Sequence, residues 1–230
     1  LFRALPSWAK KSPTWVRTST RSNYLQLRMV IEANIEMKTE ITRGDVMDMD
    51  AYAGVRKERR ARITELKRDR RVHVGPDATF YFESYDTMWH QVHEMLYIER
   101  GGEEQIADEL EAYNPLIPNG RELVTTLMFE VDDPDRREVF LADLGGVEET
   151  VTIAVGGETI TGVPETDIDR TTADGKASAI QFIHFPFNDA QAEAFKTEGA
   201  QVVLGIGHAK YGHLAIMGEN VRAALASDFA

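Results

Sequence analysis

The chain contains no cysteine. That absence excludes a disulfide framework, thiolate-held Fe–S clusters, a cysteine nucleophile and any zinc site built on cysteine. Serine is nearly as scarce beyond residue 22, where only Ser84, Ser178 and Ser227 occur. No Gly-x-Ser-x-Gly elbow accompanies them, so serine hydrolase chemistry is not expected. No run approaches 18 consecutive apolar residues, and no membrane-spanning helix is expected. Positive charge is outweighed, with 26 Lys and Arg against 38 Asp and Glu and a net charge of -12. Nucleic acid is therefore not the expected partner, since binding it requires bases to neutralise phosphates. What remains is a 230-residue chain, 43% hydrophobic and 28% charged, long enough to bury a full core in one domain.

The net charge is a sum over unlike parts. Residues 1–31 carry six bases and no acid, whereas residues 32–230 hold 20 bases and 38 acids. Within the latter, residues 56–71 concentrate nine bases against Glu58, Glu65 and Asp69; from residue 72 onward the net charge is -20. The leader has the Arg, Ser and Thr content of a transit peptide, but no apolar segment of the kind a secretory signal needs. Met37-Lys38-Thr39-Glu40-Ile41 reads like a natural beginning. We expect residues 1–36 to be a basic extension outside a single domain spanning 37–230, and a cytoplasmic location.

Periodicity and turn residues outline the domain. Asp50 is the expected cap of a helix over 51–70 whose apolar positions are Tyr52, Val55, Ile63 and Leu66. A hairpin over 72–75 and 78–84 precedes helices over 86–100 and 103–112. A strand over 122–131, a helix over 134–144 and a hairpin around Gly156-Gly157 follow. After a polar loop over 165–176 come a strand over 178–185, a helix capped by Asn188 or Asp189, a strand over 201–205 and a helix over 213–226. The glycines of 205–212 fit neither a dinucleotide nor a phosphate loop and read as turn residues. Helices and hairpins without regular βαβ alternation indicate an α+β fold, with helices packed on a mainly antiparallel sheet.

The helix over 86–100 carries the most chemistry. Met88, Val92, Met95 and Leu96 share one face with Glu99, a carboxylate in an apolar setting that must be paired, protonated or turned to a cavity. On the opposite face His90, His93, Glu94 and Tyr97 stand at spacings i, i+3, i+4 and i+7. That face is either solvated or a helical metal site in which His90, His93 and Glu94 hold a transition metal such as iron or zinc. His73 and His184 lie in strands and read as structural. His208 and Tyr211 follow the strand over 201–205, where a ligand or a general base could sit. The rigid loop Asn114-Pro115-Leu116-Ile117-Pro118-Asn119-Gly120 either presents Asn114 to a pocket or simply joins helix to strand.

The runs Glu94-Met95-Leu96-Tyr97-Ile98-Glu99 and Tyr113-Asn114-Pro115-Leu116-Ile117-Pro118, with Arg43-Gly44-Asp45-Val46-Met47 and Arg70-Arg71-Val72-His73-Val74-Gly75-Pro76, resemble the bacterial family known as domain of unknown function 3501. The resemblance spans about 40–215 and leaves out the leader. Gln91, Glu94, Glu99 and a histidine near 208 fit its pattern. His90 and His93 look particular to this chain, and Ala209-Lys210 replaces a His-Pro pair. The resemblance carries no established catalytic residues. It implies, by genomic association with rubrerythrin-type di-iron proteins and Fe–S oxidoreductases, an accessory or binding role in iron-linked redox or peroxide defence. A metal-dependent enzyme using His and Glu ligands, and an interaction module docking an acidic partner through the basic helix, are the alternatives. The expected pocket gathers Gln91, Glu94, Glu99, Asn114, His208 and Tyr211.

Overall fold

The computed structural model describes residues 37–165, 170–172 and 175–230, so the expected N-terminal extension lies outside the described residues. Lys38–Ala230 form one compact unit. It is an α+β domain with two antiparallel sheets, as the sequence indicates. The strands are β1 (Arg71–Val74), β2 (Ala78–Phe82), β3 (Glu122–Phe129), β4 (Val151–Val155), β5 (Glu158–Thr161), β6 (Val163–Pro164), β7 (Ile180–Pro186), β8 (Val203–His208) and β9 (Tyr211–Ile216). The first sheet orders its strands β1-β2-β3-β7-β6, and the second orders them β5-β4-β8-β9. The helices are α1 (Met49–Arg68), α2 (Tyr85–Glu99), α3 (Glu103–Tyr113), α4 (Pro134–Ala142), α5 (Asp189–Lys196) and α6 (Glu219–Leu225). No helix among the described residues is long and apolar enough to cross a membrane.

Alternation along β3 and β7 sorts the core into two parts. Leu123, Leu127, Phe129, Ile183 and Phe185 point one way and pack with Val151, Ile153, Leu204 and Ile206 of the second sheet, forming the larger apolar cluster. Val124 and Phe182 point the other way, onto Met88, Val92 and Leu96 of α2 with Leu116 and Ile117, forming a smaller one. The five-stranded sheet is thus the middle layer, with α1, α2 and α3 on one face and the second sheet on the other.

Local sequence explains most element boundaries. Ser84 and Thr87 cap α2 reciprocally, the Ser84 hydroxyl accepting from Thr87 N at 3.3 Å and Thr87 Oγ1 from Ser84 N at 2.8 Å. The cap of α1 is Asp48 rather than Asp50, because its Oδ1 accepts from the amides of both Asp50 and Ala51. The segment expected to be a helix over 213–226 is instead β9, a turn and the short α6. Ala209-Lys210 closes a two-residue hairpin in which His208 faces Tyr211 and Gly205 faces Leu214, which commits Tyr211–Ile216 to strand. Gly205, Gly207 and Gly212 are accordingly strand residues and not turn residues. A Cβ on Gly205 would stand 2.6 Å from Leu214 Cδ2, so glycine there lets the cross-strand leucine lie flat.

One buried charge ties the layers together. The guanidinium of Arg70, at the junction of α1 and β1, donates to the carbonyls of Phe82 (3.0 Å) and Glu83 (2.7 Å) and to the carboxylate of Asp228. Both partners of the ion pair are buried. Arg70→Met should cost about 3–5 kcal/mol by leaving Asp228 buried without a counter-charge. Arg70→Met/Asp228→Leu should recover part of that loss. Thermal unfolding of the three proteins measures this; a single-variant loss below about 0.5 kcal/mol, typical of a surface change, would refute the role.

Candidate functional site

The polar face of α2 is neither solvated nor open. It packs against α1, whose Tyr52, Arg56 and Arg59 complement it residue by residue. Arg56 grips Glu94 in two parallel bonds of 2.8 Å, Nε to Oε1 and Nη2 to Oε2. The Tyr52 hydroxyl donates to Glu94 Oε1 at 2.8 Å and lies 3.2 Å from His90 Nδ1. Arg56 also covers the ring of Tyr97 at 4.6 Å, and Arg59 covers Trp89 at 4.8 Å. The Arg56 guanidinium, with the Tyr52 hydroxyl adding to it, holds the Glu94 carboxyl down at about 2. Burial and the neighbouring carboxylate push the Tyr52 phenol well above its ordinary value, so it stays protonated.

His93 is fully buried and stacks on Trp89 with ring centroids 3.7 Å apart. Its Nε2 accepts from Met47 N at 3.0 Å, so Nδ1 carries the proton and donates to Trp89 O at 2.7 Å. Both nitrogens are thereby spent on backbone, and burial lowers the pKa of the ring. The metal set of His90, His93 and Glu94 loses its middle ligand to this bonding, and Glu94 faces Arg56. Among the described residues no three His, Asp or Glu side chains stand where they could share a metal ion.

The remaining expected residues do not converge. Glu99 is exposed at the end of α2, beyond the edge of the core, where Gln105 Nε2 donates to it at 2.7 Å. Asn114 is spent on backbone, its Oδ1 accepting from Ile41 N and its Nδ2 donating to Ile41 O, so it anchors the start of the domain. Tyr211 lies in the sandwich and donates to Val74 O while accepting from Asp77 N, both at 2.9 Å. His208 sits at the hairpin tip with Nδ1 accepting from Lys210 N at 3.3 Å. His184 bridges Glu122 (3.1 Å) and Glu165 (3.3 Å), and those carboxylates raise its pKa.

Gln91 is different. It lines a cleft of about 360 Å³ between the helical layer and the outer face of the first sheet. The walls are Met88, Leu116, Met128, Ile180 and Phe182, with Lys67, Tyr81, Glu83, Tyr113 and Thr126 as polar groups. Glu83, buried, accepts from the hydroxyls of Thr87 and Thr126 at 2.7 Å each. Tyr81 donates to Glu130 at 2.9 Å. The Lys67 ammonium and the Gln91 side-chain oxygen meet no protein partner among the described residues. A larger hollow of about 590 Å³ opens beside α1 and α3; of its charged lining, Arg43 pairs with Glu103 at 2.6 Å and Asp48 caps α1, while Asp50 and Arg100 have no side-chain partner among the described residues. Of the cleft's lining, only Gln91 was anticipated; the sheet residues alternate as ordinary strand positions and gave no signal.

Layer order and cleft define an α+β domain with an amphipathic hollow between its helices and its middle sheet. The chain belongs to the family described as protein of unknown function DUF3501, whose model matches residues 40–229. It is similar to a crystallised novel protein of unknown function from Burkholderia pseudomallei K96243, with 35% identity and a TM-score of 0.77 over 83% of this chain and 99% of that one. No curated protein matches.

Because the folded pKa of Glu94 is depressed from 4.5 to about 2, its contribution to stability is complete above pH 4.5 and is lost as pH falls toward 2. Glu94→Gln should therefore unfold at a lower temperature than the parent at pH 7, and the gap should close between pH 4.5 and 2. Melting curves across that range check it; a gap independent of pH would contradict the ion pair's role.

Proposed function

We propose that this chain is an accessory binding protein that takes a small, largely apolar molecule in the cleft beside Gln91. The supporting observation is the cleft's composition: apolar walls with a few polar groups, two of them unspent, which is the usual make-up of a small-molecule site. Against a catalytic reading stand the bonds of the chemistry-bearing side chains. Glu94, His93, Asn114 and Tyr211 are each consumed in holding one element to another. Filling the cleft tests the proposal. Met128→Trp should abolish ligand-induced thermal stabilisation while leaving the far-ultraviolet circular dichroism unchanged. Ligands that stabilise parent and variant equally would place binding elsewhere.

The iron-linked redox role implied by family resemblance would, on this reading, belong to partners and not to groups of this chain. Its proposed setting is an accessory interaction with a rubrerythrin-type di-iron protein or an Fe–S oxidoreductase. Adding the purified chain to a rubrerythrin-type protein should change its peroxide turnover; turnover unchanged at saturating chain would remove that partnership.

A further inference from the structure

The bases of residues 56–71 divide into two groups once their partners are known. Arg56 is spent on Glu94, Arg68 on Glu65, Arg70 on Asp228, and Arg62 reaches Asp86 at 3.8 Å. Arg59 lies over Trp89. Lys57, Arg60, Lys67 and Arg71 pair with no carboxylate among the described residues. These four are not scattered. Lys57, Arg60 and Lys67 follow one face of α1 at helical spacing, and that face runs toward the cleft, which Lys67 lines. Arg71 stands directly across from Tyr81 in the β1–β2 register, and Tyr81 also lines the cleft. Arg60 and Lys67 both act on His90, the neighbour of Gln91.

The unpaired bases at the cleft stand out against the charge of the domain. One lip carries unpaired bases in a domain whose residues from 72 onward are strongly acidic. Glu83 in the lining is held by the hydroxyls of Thr87 and Thr126, Glu130 by those of Thr79 and Tyr81, and Glu109 stands one turn before Tyr113 on α3. An anionic group is attracted to Lys67 and Arg71, whose charges no carboxylate offsets among the described residues. An apolar group meets Met88, Leu116, Met128, Ile180 and Phe182. At roughly 30 Å³ per water-sized group, the cleft holds on the order of a dozen non-hydrogen atoms.

From this arrangement we propose that the ligand is an amphipathic anion. Its alkyl or aromatic part fills the cleft and its phosphate or carboxylate head rests outside on Lys67 and Arg71. The inference rests on the cleft being the binding site and adds the class and orientation of its occupant.

Three ligands of equal chain length separate the possibilities: decyl phosphate and decyltrimethylammonium, titrated calorimetrically below their micellar concentrations, and decanol, titrated below its solubility limit. Decyl phosphate should bind at least tenfold more tightly than decanol, with the advantage shrinking as salt rises. In Lys67→Glu/Arg71→Glu, the ratio of the two affinities should fall to about one or below. Equal affinities in the parent, or a preference for the ammonium, would overturn the anion assignment while leaving the cleft as an apolar site. Absence of binding by all three, or binding unaltered in Met128→Trp, would remove the cleft itself and the inference with it. Retained decanol binding by the charge variant reports that it is folded.

Discussion

A buried guanidinium constrains this fold more than any other single group. Arg70 has no water to solvate it, so two carbonyls and a carboxylate must be brought to it from the end of β2 and from the last turn of the domain. Those demands position α1 relative to the sheet, because Arg70 follows the helix by two residues. They also position α2, which starts two residues after Glu83. Once both helices leave one junction, Arg56 meets Glu94 and Tyr52 meets His90.

Interactions that resemble active-site chemistry serve that helix pairing. A carboxylate held by a bidentate arginine and a tyrosine, and a histidine with both nitrogens bonded, are features associated with catalysis. Here each joins α1 to α2, or α2 to the residues before α1. The basic helix is accordingly two things at once. Its inner bases are structural, and of its outer bases Lys67 lines the cleft.

How much of this could be read beforehand depends on the range of the interaction. The hairpin turns near 75–77 and 156–157, the apolar face of α2 and the strands over 122–131 and 178–185 come from local spacing, and they fold where expected. The polar face of α2 did not yield, because His90, His93 and Glu94 look the same in a sequence whether water, metal or another helix faces them. The complement was present in Tyr52, Arg56 and Arg59, but nearly forty residues away and in a stretch whose charge reads equally well as solvated. Asn114 shows the same limit, as its partner is the backbone of Ile41, which has no side-chain signature. The helix expected over 213–226 forms only over Glu219–Leu225, and its first residues fail for a different reason: His213-Leu214-Ala215-Ile216 suits a helix, and only pairing with β8 decides for the strand. Glu99 was placed by a face projected to the end of the helix, past where the core stops. Gln91, alone of the expected pocket residues, reaches the cleft.

The division of the core into two apolar clusters bears on how the domain breathes. The sandwich closes on itself, whereas the helical layer holds to it through the smaller cluster and through polar contacts that water can replace. Free energies of local opening follow such differences in buried apolar surface. Amide protons in the helical layer have a route to exchange that leaves the sandwich intact. The cleft lies along this seam, with Met88 and Leu116 on one bank and Met128 and Phe182 on the other. An occupant there touches both banks, so filling the hollow slows the opening of a whole layer and not only of the residues it contacts.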